Sequence, residues 1–312
     1  MSNAPIIVFA YKRLDHLRRA IESLRANPEA TQSALVIACD GPKRDEDKTL
    51  CAAVQEYAHA VGDGFQSVEV RVSPRNRGLA ASLTSGVTAM LQQHERVIVV
   101  EDDLELSPHF LRYMNDGLDC YADDALVASI HGYCYPVSGQ LPETFFLRGA
   151  DCWGWATWRR AWQHFRADGA YLRDELVRQR MARPFDLDGA YPFFRMLQDQ
   201  IAGKNDSWAI RWHASCFLDG MLTLYPGRSL VHNGGFDESG THCAPTAIYD
   251  TQLSQQPVKI VRLPLEESAV GRDAFIKYLR PLHAPSLVRR ALGALRRRAR
   301  LLISKTAQGH PK

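Results

Sequence analysis

Four short apolar runs, separated by stretches of helical spacing, constrain this chain more than any other feature. The runs are Ile6–Ala10, Ala34–Cys39, the alternating Val68, Val70 and Val72, and Arg96–Val100. An unbroken apolar run of five or six residues suits a strand covered on both faces, as in a parallel sheet. After the first run, Leu14, Leu17, Ile21 and Leu24 recur every three or four residues, with Arg18 and Arg19 between them. That spacing predicts an amphipathic helix, which Asn27-Pro28 ends. Asp47–Ala60 and Leu79–Gln92 predict two more helices. The order β-α-β-α-β-α-β predicts an α/β fold: a doubly wound, mainly parallel sheet with helices on both faces.

The second half is less regular. Ser107-Pro108 predicts a helix start with Ser107 as cap. Leu126–Ile130 reads as a strand, Ala190–Ala202 as a helix, and Asn205–Trp212 as the opening of another. Short strands are predicted at Leu222–Tyr225 and Ser229–His232, and a Gly-rich loop follows to His242. Cys152–Trp158 is dense in aromatics. These readings divide the chain at 1–106, 107–270 and a basic helical tail at 271–312.

Composition removes several classes. With 46% hydrophobic and 23% charged residues, the body is not a disordered chain. No apolar run approaches the roughly 20 residues that span a bilayer. Neither a Gly-x-Gly-x-x-Gly after the first strand nor a Walker A motif is present, which argues against a dinucleotide or P-loop site. Seven cysteines, an odd number without a CxxC pair, and the absence of a signal-peptide layout predict a reducing, cytoplasmic setting and no zinc site. After Asp273 the chain has no acid, yet Lys and Arg recur to its end. Val288, Leu292, Leu295 and Leu302 fall near one helical face there. The tail is predicted either to contact an anionic membrane surface peripherally or to be simply solvated, and no nucleic-acid partner is expected.

The chemistry concentrates where strands end. Strand two stops at Asp40, and strand four stops at Glu101-Asp102-Asp103. Parallel strands bring those ends to one edge, where open α/β sheets bind ligands. Adjacent carboxylates repel, and a divalent cation bridging to a diphosphate relieves that, because hard cations take oxygen ligands. The plainer alternatives are an acidic turn opening a helix and, for Asp40, an ordinary turn residue before Gly-Pro.

The strand ending at Asp40, then Asn76-Arg77-Gly78 before a helix, then Val-Val-Glu101-Asp-Asp103 resembles the GT-A fold glycosyltransferases. The Glu-Asp-Asp variant is similar to that of bacterial relatives of N-acetylglucosaminyltransferase I and of family 2 type enzymes. The resemblance covers about residues 4 to 245 and excludes the tail. It implies residues 1–106 as a nucleotide-sugar-binding half and 107–270 as an acceptor-side half with a catalytic base and a lid loop. It further implies a nucleotide-diphosphate sugar donor, UDP-linked by preference, Mn²⁺ or Mg²⁺, a glycan or lipid-linked acceptor, and inversion.

By the same resemblance, Asp103 is a direct metal ligand, while Glu101 and Asp102 face ribose, sugar or bound water. Asp40 touches the base edge, the Tyr11–Arg13 loop closes over the base, and Arg77 approaches a phosphate. Asp206, in Asn-Asp-Ser-Trp208, matches the catalytic base, although Asn205 stands where a Trp is usual. Asp206 as helix N-cap competes with that role. Trp153 and Trp155 are candidates for a sugar-stacking wall or for ordinary core. His232 and His242 are candidates for pyrophosphate or for completing the metal site with Asp103, or are loop residues without a ligand. Two other classes remain: a sugar-nucleotide nucleotidyltransferase, whose Gly-rich loop after strand one is missing here, and a relative that binds nucleotide-sugar or glycan without turnover.

Overall fold

The computed structural model describes residues 2–236 and 248–283. Its first half follows the predicted order: β1 (Ile6–Ala10), α1 (Leu14–Arg25), β2 (Ala34–Cys39), α2 (Lys48–Ala60), β3 (Ser67–Val72), α3 (Leu79–Gln93) and β4 (Arg96–Glu101). The apolar runs explain the order of the strands. β1 and β4 are buried almost throughout and lie centrally, whereas β3 alternates exposed and half-buried residues and forms an edge. Glu69 and Arg71 pair on that edge, and charged side chains there discourage pairing with another chain.

β5 (Leu104–Leu106), α4 (Phe110–Cys120), β6 (Val127–His131), β7 (Thr144–Arg148), β8 (Trp155–Trp158) and the short α5 (Arg159–Trp162) follow. Then come α6 (Gly169–Arg178), α7 (Ala182–Phe185), α8 (Phe193–Ile201), α9 (Trp208–Leu218), β9 (Leu222–Pro226), β10 (Val231–Asn233) and α10 (Ala269–His283). One sheet holds eight strands in the order β3-β2-β1-β4-β8-β6-β9-β7. β3, β2, β1 and β4 are parallel, β8 runs against both its neighbours, and β7 runs against β9. The mainly parallel α/β sheet expected from the sequence is therefore present, with two antiparallel strands.

Three strands, β5, β7 and β8, were not predicted, whereas β10 overlaps the strand expected at Ser229–His232. β8 lies inside the aromatic segment, and its Trp155 is wholly buried, stacked on Trp208 at 5.4 Å. β5 and β10 pair antiparallel as a small second sheet, with His232 opposite Glu105 and Asn233 opposite Leu104. The helix expected at Ser107 starts instead at Phe110. Ser107 follows β5, donating its hydroxyl to Ser254 O and its N–H to Leu230 O, while its Oγ accepts from His109 N at 3.2 Å, just ahead of α4.

Register fixes the functional edge. Phe9 lies opposite Glu101, and Ala10 opposite Cys39, so Tyr11, Asp40 and the acid cluster leave the sheet together. The six described cysteines are unpaired. No helix among the described residues is long and apolar enough to cross a membrane. The lid loop with His242 and the basic tail from residue 284 onward lie outside the described residues.

Candidate active site

The acids terminate β4, the strand next to β1, and the chain leaving β1 supplies their counter-ion. Arg13 precedes α1 and places Nη2 2.5 Å from Asp102 Oδ1 and 2.8 Å from Asp103 Oδ2. Asp102 is nearly buried, donates its N–H to Phe9 O and accepts weakly from Tyr11 N at 3.4 Å. Arg13 thus faces the acids, whereas the resemblance had placed the Tyr11–Arg13 loop over a nucleobase. Among the described residues it is the cation that salt-bridges the cluster. One positive charge does not balance three carboxylates. Desolvation, followed by the charges of Asp103 and Asp102, pushes Glu101 up to about 8. Desolvation likewise raises Asp102, with Arg13 opposing it.

The β5–β10 pair brings the Gly-rich segment onto Asp103. Gly234 donates its N–H to Asp103 O at 2.8 Å. A Cβ on Gly235 would stand 2.2 Å from Asp103 Oδ2, so any larger residue here would displace the Asp103 carboxylate. Among the described residues, no three His, Cys, Asp or Glu side chains gather as a metal cage. The oxygen donors and unbalanced charge nevertheless suit a hard divalent ion held by one or two carboxylates and completed by substrate phosphates and water. His232 sits half-buried with Nδ1 3.3 Å from Asp250 Oδ1.

Asp40 organises the next loop. Its Oδ1 accepts from Gly41 N at 2.9 Å and Arg77 N at 3.0 Å. Its Oδ2 accepts from Arg77 N at 3.1 Å, Gly78 N at 3.1 Å and Asn76 Nδ2 at 3.2 Å. These bonds fill the carboxylate's acceptor sites and pin Asn76-Arg77-Gly78 against the end of β2. Gly41 admits the loop, since a Cβ there would lie 2.6 Å from the backbone of Arg75. The Arg77 side chain stays exposed beside the start of α3. Gly78 adopts φ 78° and opens α3.

Asp206 reaches the same loop: a Cβ on Gly78 would sit 3.5 Å from Asp206 Oδ2. The competing role of helix cap belongs to its neighbour, because Ser207 accepts from Ile210 N at 3.2 Å and precedes α9. Asp206 is exposed and accepts no hydrogen bond among the described residues. Its carboxylate is thus uncommitted.

Sequence reasoning missed Asp47. Tyr11 donates its hydroxyl to Asp47 Oδ2 at 2.9 Å, and Lys12 Nζ lies 2.7 Å from Asp47 Oδ1. The Lys12 and Tyr11 hydrogen bonds hold the Asp47 carboxyl below its usual range. This clasp fixes the chain leaving β1 to the start of α2. Nothing local in the sequence signals it beyond an acid near a helix start.

The two candidate wall tryptophans separate. Trp155 is core, while Trp153 is half-buried, its ring 5.4 Å from Phe236 and 5.5 Å from Tyr249.

No curated protein matches the chain significantly. The family model described as glycosyl transferase family 2 matches residues 6–184, which spans β1 to α7 and includes Asp40, the Asn76–Gly78 loop and the acid cluster. With more than half of its length matched, and with the sheet edge arranged as above, this chain belongs to glycosyl transferase family 2 and is a glycosyltransferase that uses a nucleotide sugar.

Proposed function

We propose that this enzyme is a metal-dependent, inverting hexosyl- or N-acetylhexosaminyltransferase that moves a sugar from a UDP-linked donor to a hydroxyl of a glycan or lipid-linked acceptor. The observation that carries the reading is the charge imbalance at the end of β4: three carboxylates against Arg13, overhung by Gly235. Asp103 would hold Mn²⁺ or Mg²⁺, with His242 as a further candidate ligand. A bound ion neutralises charge growing on the leaving diphosphate as a Lewis acid.

The protein's own residues divide the remaining work. Arg13 offsets Asp102 and orients its carboxylate, and Glu101 and Asp102 face the donor's ribose and sugar. Tyr11 and Asp40 border the base, the latter chiefly through the loop it holds. Arg77, exposed at the start of α3, is free to meet a phosphate. Trp153 borders the transferred sugar. Asp206, released from capping by Ser207, takes the proton of the attacking hydroxyl, a contribution of about 10²–10⁴-fold. The similarity of Glu-Asp-Asp to N-acetylglucosaminyltransferase I supports this allocation. The enzyme would work in the cytoplasm, with the basic tail as a peripheral membrane contact near a lipid-linked acceptor.

Calorimetric titration with UDP-, GDP- and dTDP-sugars, with and without Mn²⁺, tests the reading, with Asp103→Ala as control. Ion-dependent binding of one donor that disappears in the variant is expected. Binding to no nucleotide sugar, or equal binding without the ion and in the variant, overturns it. Product NMR showing a retained anomeric configuration overturns inversion alone.

A further inference from the structure

Tyr11, Lys12 and Arg13 alone join β1 to α1, and acids hold the side chains of all three. Tyr11 donates its hydroxyl to Asp47 Oδ2 at 2.9 Å, and Lys12 Nζ donates to Asp47 Oδ1 at 2.7 Å. Asp47, nearly buried just before α2, also accepts from Arg44 N at 3.2 Å. The Tyr11 hydroxyl in turn accepts from Lys43 N at 3.0 Å. Both Asp47 oxygens and the Tyr11 oxygen are thus engaged within the protein. The next residue, Arg13, carries its guanidinium to Asp102 and Asp103.

Helix formation does not account for the place of Arg13. It stands at the N-cap of α1 without a capping bond, a position that favours Ser, Thr, Asp or Asn. A cation is also disfavoured at the positive end of a helix dipole. What holds Arg13 there is the acid pair on one side and the Asp47 clasp on its own preceding residues. Burial works against its charge, yet Asp102 and Asp103 hold the guanidinium above its ordinary range. Its Nη2 lies 2.8 Å from Asp103 Oδ2, on the residue proposed to hold the ion. A cation arriving at Asp103 therefore meets a positive charge already in place. Between close charges in a partly buried site, such repulsion changes affinity by about tenfold or more.

We infer that Asp47 is a positioning residue for the acid cluster: by clasping Tyr11 and Lys12 it keeps Arg13 on Asp102 and Asp103 as a built-in counter-ion, and so weakens the cluster's hold on a lone divalent cation. The inference rests on the metal-dependent reading of Asp103. Asp47 itself touches neither the acids nor the ion; it acts through the three-residue link and the guanidinium at its end. A cluster restrained in this way holds an ion firmly only when further anionic oxygens join it, and the phosphates of a nucleotide are oxygens of that kind.

The test titrates the full chain with Mn²⁺ alone at low ionic strength and follows the free ion by electron paramagnetic resonance. Arg13→Gln should tighten binding about tenfold and Asp47→Asn about threefold. Loss of the Asp47 charge and release of Lys12 both act against a cation, so tightening in Asp47→Asn has no origin in net charge. Asp47→Glu, which keeps the carboxylate, should return the affinity towards that of the parent. Added to Arg13→Gln, Asp47→Asn should tighten binding no further, because the clasp acts through Arg13. Melting temperatures are measured alongside, and Tyr11→Phe, which removes one bond of the clasp and keeps the ring, carries the same comparison where Asp47→Asn does not fold. Unchanged or weaker Mn²⁺ binding in the folded clasp variant, or an equal change with and without Arg13, overturns the inference and leaves the metal reading standing. Mn²⁺ binding by none of these proteins overturns both.

Discussion

Replacing Asp40 by Asn tests whether this carboxylate acts mainly as the anchor of the loop before α3. The substitution keeps the side chain's shape and changes one acceptor oxygen into an amide donor. Whichever way the amide is turned, N–H groups lose their acceptor. With its NH₂ at the Oδ1 position, Gly41 N is orphaned and Arg77 N keeps its weaker contact. With NH₂ at the Oδ2 position, Gly78 N is orphaned and Asn76 Nδ2 keeps only Gly41 O of its two acceptors. Asn76 could flip to compensate, but it would then lose its 3.0 Å bond to Gly41 O. A hydrogen bond to a charged group contributes about 1.5–3 kcal/mol, so the loss of one or two predicts a destabilisation of about 3 kcal/mol. That is a large fraction of the roughly 5–15 kcal/mol stability of an ordinary domain. Asn76→Ala, which removes one donor to Asp40 together with the bond to Gly41 O but leaves no backbone N–H of the loop unpaired, should lose about 2 kcal/mol. Urea unfolding of the three proteins measures both effects. Asp40→Asn within about 0.5 kcal/mol of the parent would refute the anchoring argument and return the carboxylate to direct contact with a ligand.

Two further expectations use neighbouring pairs as their own controls. Ser207→Ala should lower stability by about 1 kcal/mol through loss of the α9 cap, while Asp206→Ala should leave stability nearly unchanged and reduce turnover about 10²–10⁴-fold; equal stability losses in denaturant melts would reverse the two assignments. Burial among Phe185, Phe193 and Phe217 holds the His213 imidazole below its usual range near 6.5, so the folded state resists a proton that the unfolded chain accepts. Its contribution is therefore complete above about pH 6.5 and is lost as pH falls through the interval below, and His213→Leu should flatten that part of the stability profile; superimposable slopes for parent and variant between pH 6.5 and 5 would contradict the sign.

What the sequence reveals here follows from the range of each interaction. β1, β2 and β4 are legible because being buried on both faces leaves an unbroken apolar run, and α1 is legible because one face is charged. The acids and Asp40 are legible because they sit where such runs stop. β8 is not, because a four-residue strand between β4 and β6 is defined by its neighbours, and its Trp-rich content serves core packing as well as a strand. Ser107 and Asp206 show a finer limit. Both are good cap residues beside a helix start, but Ser107 accepts from His109 N while α4 begins only at Phe110, and Ser207 takes the cap next to Asp206.

The long-range partners carry the rest of the site's chemistry. Arg13 meets Asp102 and Asp103 across about ninety positions of chain, Tyr11 and Lys12 meet Asp47 across some thirty-five, and Gly235 meets Asp103 only because β10 pairs with β5. None of these pairings has a periodic signature, since each depends on two strand ends arriving at one edge. The parallel register of β1 with β4 and β2 turns separate sequence signals into one site. A shift of one residue in that register would turn Glu101 to the other face of the sheet and separate Arg13 from its acids. The buried apolar runs that specify the register therefore also specify which charges meet, and the geometry of the candidate active site is a consequence of core packing as much as of its own polar residues.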